Sequence, residues 1–310
     1  MFINNELFFP FGLYVPNTNA KELIEINRTH LIFILPCYEC YRQTIGNTLN
    51  LINWTYNGKI KVLFHVKHIF EINTDTCEVL NEEEDYKTYV KTINEFKDHP
   101  LLIGWYINDE MPECFIDHIR NRTLTIHELD PDHPTVTVTN KRNSLPFINT
   151  TDVYGEDCYF VGDITRTKET INCYDVHNNA YNGLLKSKPM WPVPQIFDWT
   201  CVKAHGAQTH PPTLQEMKCM TWQAFVAGAK GIMFYSLIEI IEMNKTITPF
   251  ESRWKDVIEL TDQIWEYKDI ILSIEKVHQI EFKQNYNIAF KQWKYNGYNY
   301  IVSVNKGRHN

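Results

Sequence analysis

Residues 101–112 read L-L-I-G-W-Y-I-N-D-E-M-P: an apolar run that ends abruptly in Asn108, Asp109 and Glu110 and is closed by Pro112. Such a run fits a strand buried on both faces, as in a parallel sheet covered by helices. A strand that turns polar only at its carboxyl end places those groups where barrels and open α/β sheets keep their chemistry. Two adjacent acids there are costly unless solvated, paired or used. The plainer alternative is a loop whose Asp caps the next helix, with Pro112 in its first turn.

Working outward, the same alternation of apolar runs and helical stripes repeats along the chain. Strands are expected over 7–15 (L-F-F-P-F-G-L-Y-V), 29–36 (T-H-L-I-F-I-L-P) and 59–66 (K-I-K-V-L-F-H-V). In the first of them Gly12 allows a close approach. After the opening stretch come strands over 135–140 (T-V-T-V-T-N), 152–159, 190–197 (M-W-P-V-P-Q-I-F) and 231–237 (G-I-M-F-Y-S-L). Helices are expected between them, over 20–27, 44–54, 82–96, 113–129, 168–185, 213–227 and 253–274. Thr213 with Glu216 reads as a capping box.

Eight strands alternating with helices predict a (β/α)8 barrel over residues 1–276. A doubly wound open sheet is the alternative, but it normally carries a Gly-rich phosphate loop after its first strand, where this chain reads V-P-N-T-N-A. Residues 277–310 read as short antiparallel strands (279–282, 286–293 and 298–305) with Asn296-Gly297 as a hairpin turn. They lie against the barrel or begin a β-sandwich cut short.

The 310 residues, 44% hydrophobic, suffice for one large barrel core. A formal charge of −8 argues against a nucleic-acid or anionic-membrane partner, which would want a basic face. No run approaches the roughly 20 apolar residues of a membrane span, and the first residues lack the form of a signal peptide. The eight cysteines include one close pair, Cys37 and Cys40, with no second pair to complete a zinc site. No metal or other cofactor is implied. Sequons at Asn27, Asn53, Asn121, Asn149 and Asn244 lean towards the secretory route. Nothing in the sequence sets an oligomeric state.

The motif W-Y-I-N-D-E-M-P, preceded by K-D-H-P-L-L-I-G, resembles the fourth strand of retaining glycoside hydrolases with a (β/α)8 catalytic barrel, closest to the β-galactosidase-like and β-glucuronidase-like members. N-N-E-L-F-F-P-F-G-L-Y is similar to the phrase that opens those catalytic domains. K-P-M-W-P-V-P-Q-I-F and G-A-K-G-I-M-F-Y-S resemble their seventh and eighth strands. The resemblance runs from about residue 6 to 241 and implies a carbohydrate ligand and Glu110 as acid/base. It departs from the family in two places. Asp109 stands between Asn108 and Glu110, where the family has Asn directly before Glu. Gln195 stands where the family's nucleophilic Glu ends the seventh strand, and an amide cannot form a glycosyl-enzyme intermediate.

Hydrolysis of a glycosidic bond needs two carboxyl groups facing it, about 5 Å apart for retention and about 6.5–9.5 Å for inversion. Glu110 is the candidate acid, since a partly desolvated Glu can hold its proton near neutral pH. Its partner is expected to be Asp157, with Glu156 and Glu239 as alternatives. Asp109 adjoins the acid, but neighbouring strand residues point apart. Asn108, Gln195, Tyr159, Trp199, Tyr235 and Glu239 are the candidate substrate-binding residues, the aromatic ones as platforms for the apolar faces of a sugar. Trp105 and Trp191 read as core filling. His205 and His210 are candidates for sugar hydroxyls or solvated surface histidines. His65 and His68 lack the companions of a metal-dependent barrel. The three functional readings are a glycosidase acting on a β-linked glycan or glycoside, a barrel that binds carbohydrate without turnover, and a structural or secreted interaction protein.

Overall fold

Eight parallel strands surround the centre of the computed structural model, which describes residues 2–3, 6–16, 20–36, 60–141, 143–162, 172–199, 210–243, 249–277 and 287–306. The strands are β1 (Phe11–Val15), β2 (Phe33–Pro36), β3 (Lys61–His65), β4 (Leu102–Asp109), β5 (Thr135–Thr139), β6 (Val153–Cys158), β7 (Val193–Pro194) and β8 (Ile232–Phe234). Each pairs in parallel with its neighbour in sequence, and β8 pairs with β1. The remaining seam closes through a parallel bridge between Gln195 and Tyr235 and backbone bonds such as Met233 N–H to Pro192 C=O (3.0 Å). This is the (β/α)8 barrel. Strand β7 is shorter than the apolar run suggests because Pro192 and Pro194 have no N–H to give a ladder.

Alternate strand residues fill the barrel. Phe33, Leu35, Leu63, Ile103, Tyr106, Val136, Val138, Val153, Trp191 and Met233 form one buried inner cluster. Gly12 is required there: a Cβ at that position would lie 2.2 Å from the Phe33 ring. The other set of strand residues packs outward under the helices in a second, larger core. Trp105 belongs to that outer layer, fully buried, with Nε1–H donating to Asp130 Oδ2 (2.8 Å). Trp191 is buried inside the barrel.

The helices are α1 (Ala20–Ile26), α2 (Glu82–Phe96), α3 (Ile116–Leu129), α4 (Cys173–Gly183), α5 (Leu214–Ala227), α6 (Leu237–Met243), α7 (Phe250–Glu266) and α8 (Lys268–Leu272). Thr213 and Glu216 make the expected capping box at the start of α5. The helix expected over 253–274 is instead two, broken at Tyr267. Helix α6 lies where the sequence predicts no element; only its first residue, Leu237, falls within the strand expected over 231–237. The helix expected over 44–54, the strand over 279–282, Asn53, Asn244, Cys37, Cys40, Cys201 and His205 fall outside the described residues.

After the barrel, β9 (Ile288–Tyr295) and β10 (Tyr298–Asn305) pair as an antiparallel hairpin. Asn296 and Gly297 both have positive φ, 51° and 82°, as a two-residue hairpin turn demands. One face of the hairpin packs Trp293 and Val304 against the barrel, while Ile288, Phe290 and Ile301 stay exposed. No helix among the described residues is long and apolar enough to cross a membrane.

Candidate active site

At the carboxyl ends of the strands the barrel opens into a cleft of about 410 Å³. Its lining includes Tyr14 from β1, Asp109 and Glu110 from the end of β4, Asn140 after β5, Glu156 and Asp157 from β6, and Tyr235 and Glu239 after β8. Tyr159, Phe197 and Trp199 form an aromatic wall, with ring centroids 5.0–6.3 Å apart.

Strand β4 reaches the cleft through two backbone irregularities. Its register against β5 shifts between Tyr106 and Asn108, leaving Ile107 as an extra residue. Glu110 then adopts a left-handed backbone, with φ of 55°. Together they break the simple alternation expected from sequence, so that Asp109 and Glu110 both line the cleft. A buried guanidinium supports this bend from α3: Arg122 donates to Ile107 C=O (2.9 Å) and to Lys67 C=O (3.3 Å). Asn108 is fully buried, lies outside the cleft lining, and finds no hydrogen-bond partner for its amide.

The acids are not equivalent. Asp109 forms an ion pair with Lys67, whose side chain is largely buried beside the Tyr106 ring. Glu110 is exposed at the cleft mouth, and its carboxyl is hydrogen-bonded to that of Asp157. Burial, that hydrogen bond and the charges of Asp109 and Glu110 push the Asp157 carboxyl well above the usual carboxylate range. Two carboxyls in contact cannot both ionise cheaply, which adds to the effect of burial in raising Asp157. The Tyr159 hydroxyl donates to Asp157 Oδ1 (2.9 Å). Glu156 is 1% exposed and, chiefly through burial, is pushed up to about 8. It accepts hydrogen bonds from Tyr154 (2.8 Å) and Thr139 (3.2 Å).

Across the cleft, Tyr235 donates to Glu239 (2.9 Å). The peptide bond joining Tyr235 to Ser236 is cis. Tyr14 shares a hydrogen bond with Tyr106 (2.9 Å) at the cleft floor.

The structure thus gathers Asp109, Glu110, Asp157, Tyr159, Trp199, Tyr235 and Glu239 around one cavity. It does not bring Asn108 or Gln195 to the cavity surface. Gln195 is fully buried and its amide is committed to backbone: Oε1 accepts from Val161 N–H (3.0 Å), and Nε2 donates to Val161 C=O and Phe197 C=O (2.9 Å each). His210 is exposed and does not line the cleft. Sequence reasoning did not reach Tyr14, Asn140, Phe197 or Lys67. The first two end strands at their carboxyl side, which was signal enough; Lys67 was marked only by its place two residues after β3.

Two disulfides staple the segments that follow the acids. Cys77, in the short hairpin after β3, joins Cys114, four residues beyond Glu110. Cys158, the residue after Asp157, joins Cys173 at the start of α4.

No protein-family model matches the chain, and no curated protein sequence matches it. Solved structures do. The β-galactosidase of the psychrophilic Marinomonas ef1 superposes with a TM-score of 0.58 at 8% identity, over 73% of this chain and 54% of that one. The polyextremophilic β-galactosidase of Halorubrum lacusprofundi gives a TM-score of 0.56 at 12% identity, over 73% and 52%. The endo-β-1,4-mannanase of Thermotoga petrophila gives 0.53 at 10% identity, over 94% and 81%. The chain spans about half the length of the two galactosidases. At these identities what is shared is the barrel fold, a divergent version of the one these glycoside hydrolases use.

Proposed function

We propose that this protein hydrolyses a glycosidic bond, with Glu110 and Asp157 acting as one proton-sharing acid. The observation that carries the proposal is the place of the Asp157 carboxyl: raised above the usual carboxylate range by burial and by the adjacent Glu110, and set in an aromatic-walled cleft at the carboxyl end of the barrel. A carboxyl that keeps its proton near neutral pH is what protonation of a leaving sugar oxygen requires. The aromatic wall of Tyr159, Phe197 and Trp199 offers ring faces for the apolar side of a sugar.

Glu110 and Asp157 touch, which is closer than the roughly 5 Å that separates the carboxyls of a retaining pair. They therefore serve together on one side of the scissile bond. The carboxylate for the other side comes from a different element, and Glu239 of α6, held by Tyr235 in the same cleft, is assigned that role. Asp109, ion-paired with Lys67, lends negative charge that favours the proton on Asp157 rather than reacting itself. The two disulfides fit a protein that matures in an oxidising compartment.

A specific observation favours a second reading, in which the cleft binds carbohydrate without cleaving it. The residue at the end of the seventh strand is Gln195, and its amide is fully used in holding the backbone of Val161 and Phe197. The deciding experiment is hydrolysis of aryl glycosides with good and poor leaving groups by wild type, Glu110→Gln and Asp157→Asn. The hydrolase reading expects both substitutions to lower kcat/KM by about 10²–10⁴-fold on poor leaving groups and much less on activated ones. No turnover by wild type, together with saturable sugar binding in calorimetry, would establish the binding reading instead.

A further inference from the structure

Beneath the cleft, on the outer side of β6, one buried side chain has no partner to explain it. His177 lies on α4 with no exposed surface, and neither ring nitrogen makes a hydrogen bond. Buried polar groups are almost always satisfied, so an imidazole with two idle nitrogens points to a missing ligand. The atoms nearest in kind are sulfurs. Cys173 stands one helical turn before His177 on the same helix, and Cys158 faces both from the end of β6. The ligand atoms of Cys158, Cys173 and His177 all lie within 4.8 Å of one another, and all three residues are buried.

We infer that Cys158, Cys173 and His177 form a second, redox-gated site that holds a thiophilic d10 cation such as Zn2+ once the Cys158–Cys173 disulfide is reduced. Two thiolates and an imidazole are the donor set such a cation selects. Four residues along a helix put Cys173 and His177 on one face, and Cys158 supplies the third donor from the strand. The chemistry balances in two steps. A dithiol reductant gives two electrons and two protons to the disulfide, yielding two cysteine thiols and the reductant's own disulfide. The cation then displaces both thiol protons and takes the lone pair of neutral His177.

The site has a clear structural meaning. Cys158 adjoins Asp157, and Cys173 opens α4, so the disulfide fixes the end of β6 to that helix. A cation bound to the same three residues restores this link where the disulfide cannot persist.

The test is alkylation of the reduced full-length protein, mapped cysteine by cysteine by mass spectrometry, with and without one equivalent of Zn2+. Cys219, a free thiol in the described chain, is the internal reference. The expected result is that Zn2+ slows modification of Cys158 and Cys173 at least ten-fold relative to Cys219, and that His177→Leu abolishes this protection. Equal rates with and without Zn2+, or full protection in His177→Leu, would overturn the site. Should that variant not fold, zinc-edge X-ray absorption on the protected wild type decides. Scattering from sulfur at about 2.3 Å with imidazole nitrogen at about 2.0 Å supports the site, and a sulfur-only shell overturns it.

Discussion

Glu156→Gln should make the protein more stable, and by an amount that depends on pH in a defined way. Glu156 is 1% exposed, and burial raises its carboxyl from 4.5 in the unfolded chain to about 8 in the native one. Below pH 4.5 both states are protonated and the group is neutral in the balance. As pH rises from 4.5 to 8 the unfolded chain releases the proton while the native chain keeps it, so stability falls throughout that window. Each pH unit is worth 1.36 kcal/mol, giving a penalty of about 3 kcal/mol at pH 7 and approaching about 5 kcal/mol above pH 8. Glutamine removes the penalty while keeping an oxygen to accept from Tyr154 (2.8 Å) and Thr139 (3.2 Å). Thermal unfolding of both proteins at pH 4.5, 7 and 8.5 measures it. At roughly 2 °C per kcal/mol, the variant should melt about 6 °C higher at neutral pH. A gain that fails to grow between pH 4.5 and 8.5, or a loss at pH 8.5, would refute the account of Glu156 as a desolvated acid.

Other consequences can be measured alongside it. Burial holds His177 down to about 3 and His68 and His118 down to about 4, so the unfolded chain takes up protons that the native one refuses. Stability should therefore fall as pH drops from 6.5 towards 4, which urea titrations would follow, and His177→Leu should flatten the slope. Lys67→Met leaves Asp109 beside the cleft without its cation and should cost about 3 kcal/mol in urea unfolding, with Lys67→Arg recovering part of it. If the cleft hydrolyses glycosides, the raised Asp157 carboxyl gives kcat/KM an alkaline limb, which Asp157→Asn should abolish. Trp199→Ala removes a ring from the aromatic wall and should weaken sugar binding about ten-fold by calorimetry while leaving the melting temperature nearly unchanged.

The barrel was legible because its strands are written as uninterrupted apolar runs with polar carboxyl ends. The opening stretch and T-V-T-V-T are the clearest, and they lie within a residue or two of β4 and β5. Errors came where one composition serves two structures. The strand expected over 231–237 ends at Phe234, with Leu237 already opening α6, and the stripe over 253–274 hides a break at Tyr267. Strand ends also pointed to the site, placing Glu110, Asp157 and Tyr159 at one mouth. Spatial pairing was not readable: Lys67 reaches Asp109 from the segment after β3, and Arg122 holds the bend from behind. Nor was the left-handed backbone of Glu110, since a residue that normally avoids positive φ gives no local hint that it has adopted one.

That backbone has a consequence for the protein's fate under selection. A non-glycine residue in the left-handed region carries about 1 kcal/mol of strain that glycine would not. Glu110→Gly should therefore be tolerated or even favoured by the fold, as Glu156→Gln is. A library screened only for solubility or heat resistance would enrich substitutions at both positions and drift towards a sturdier, emptier barrel. Carboxylates that survive there in a natural population would mark selection acting on the cleft itself.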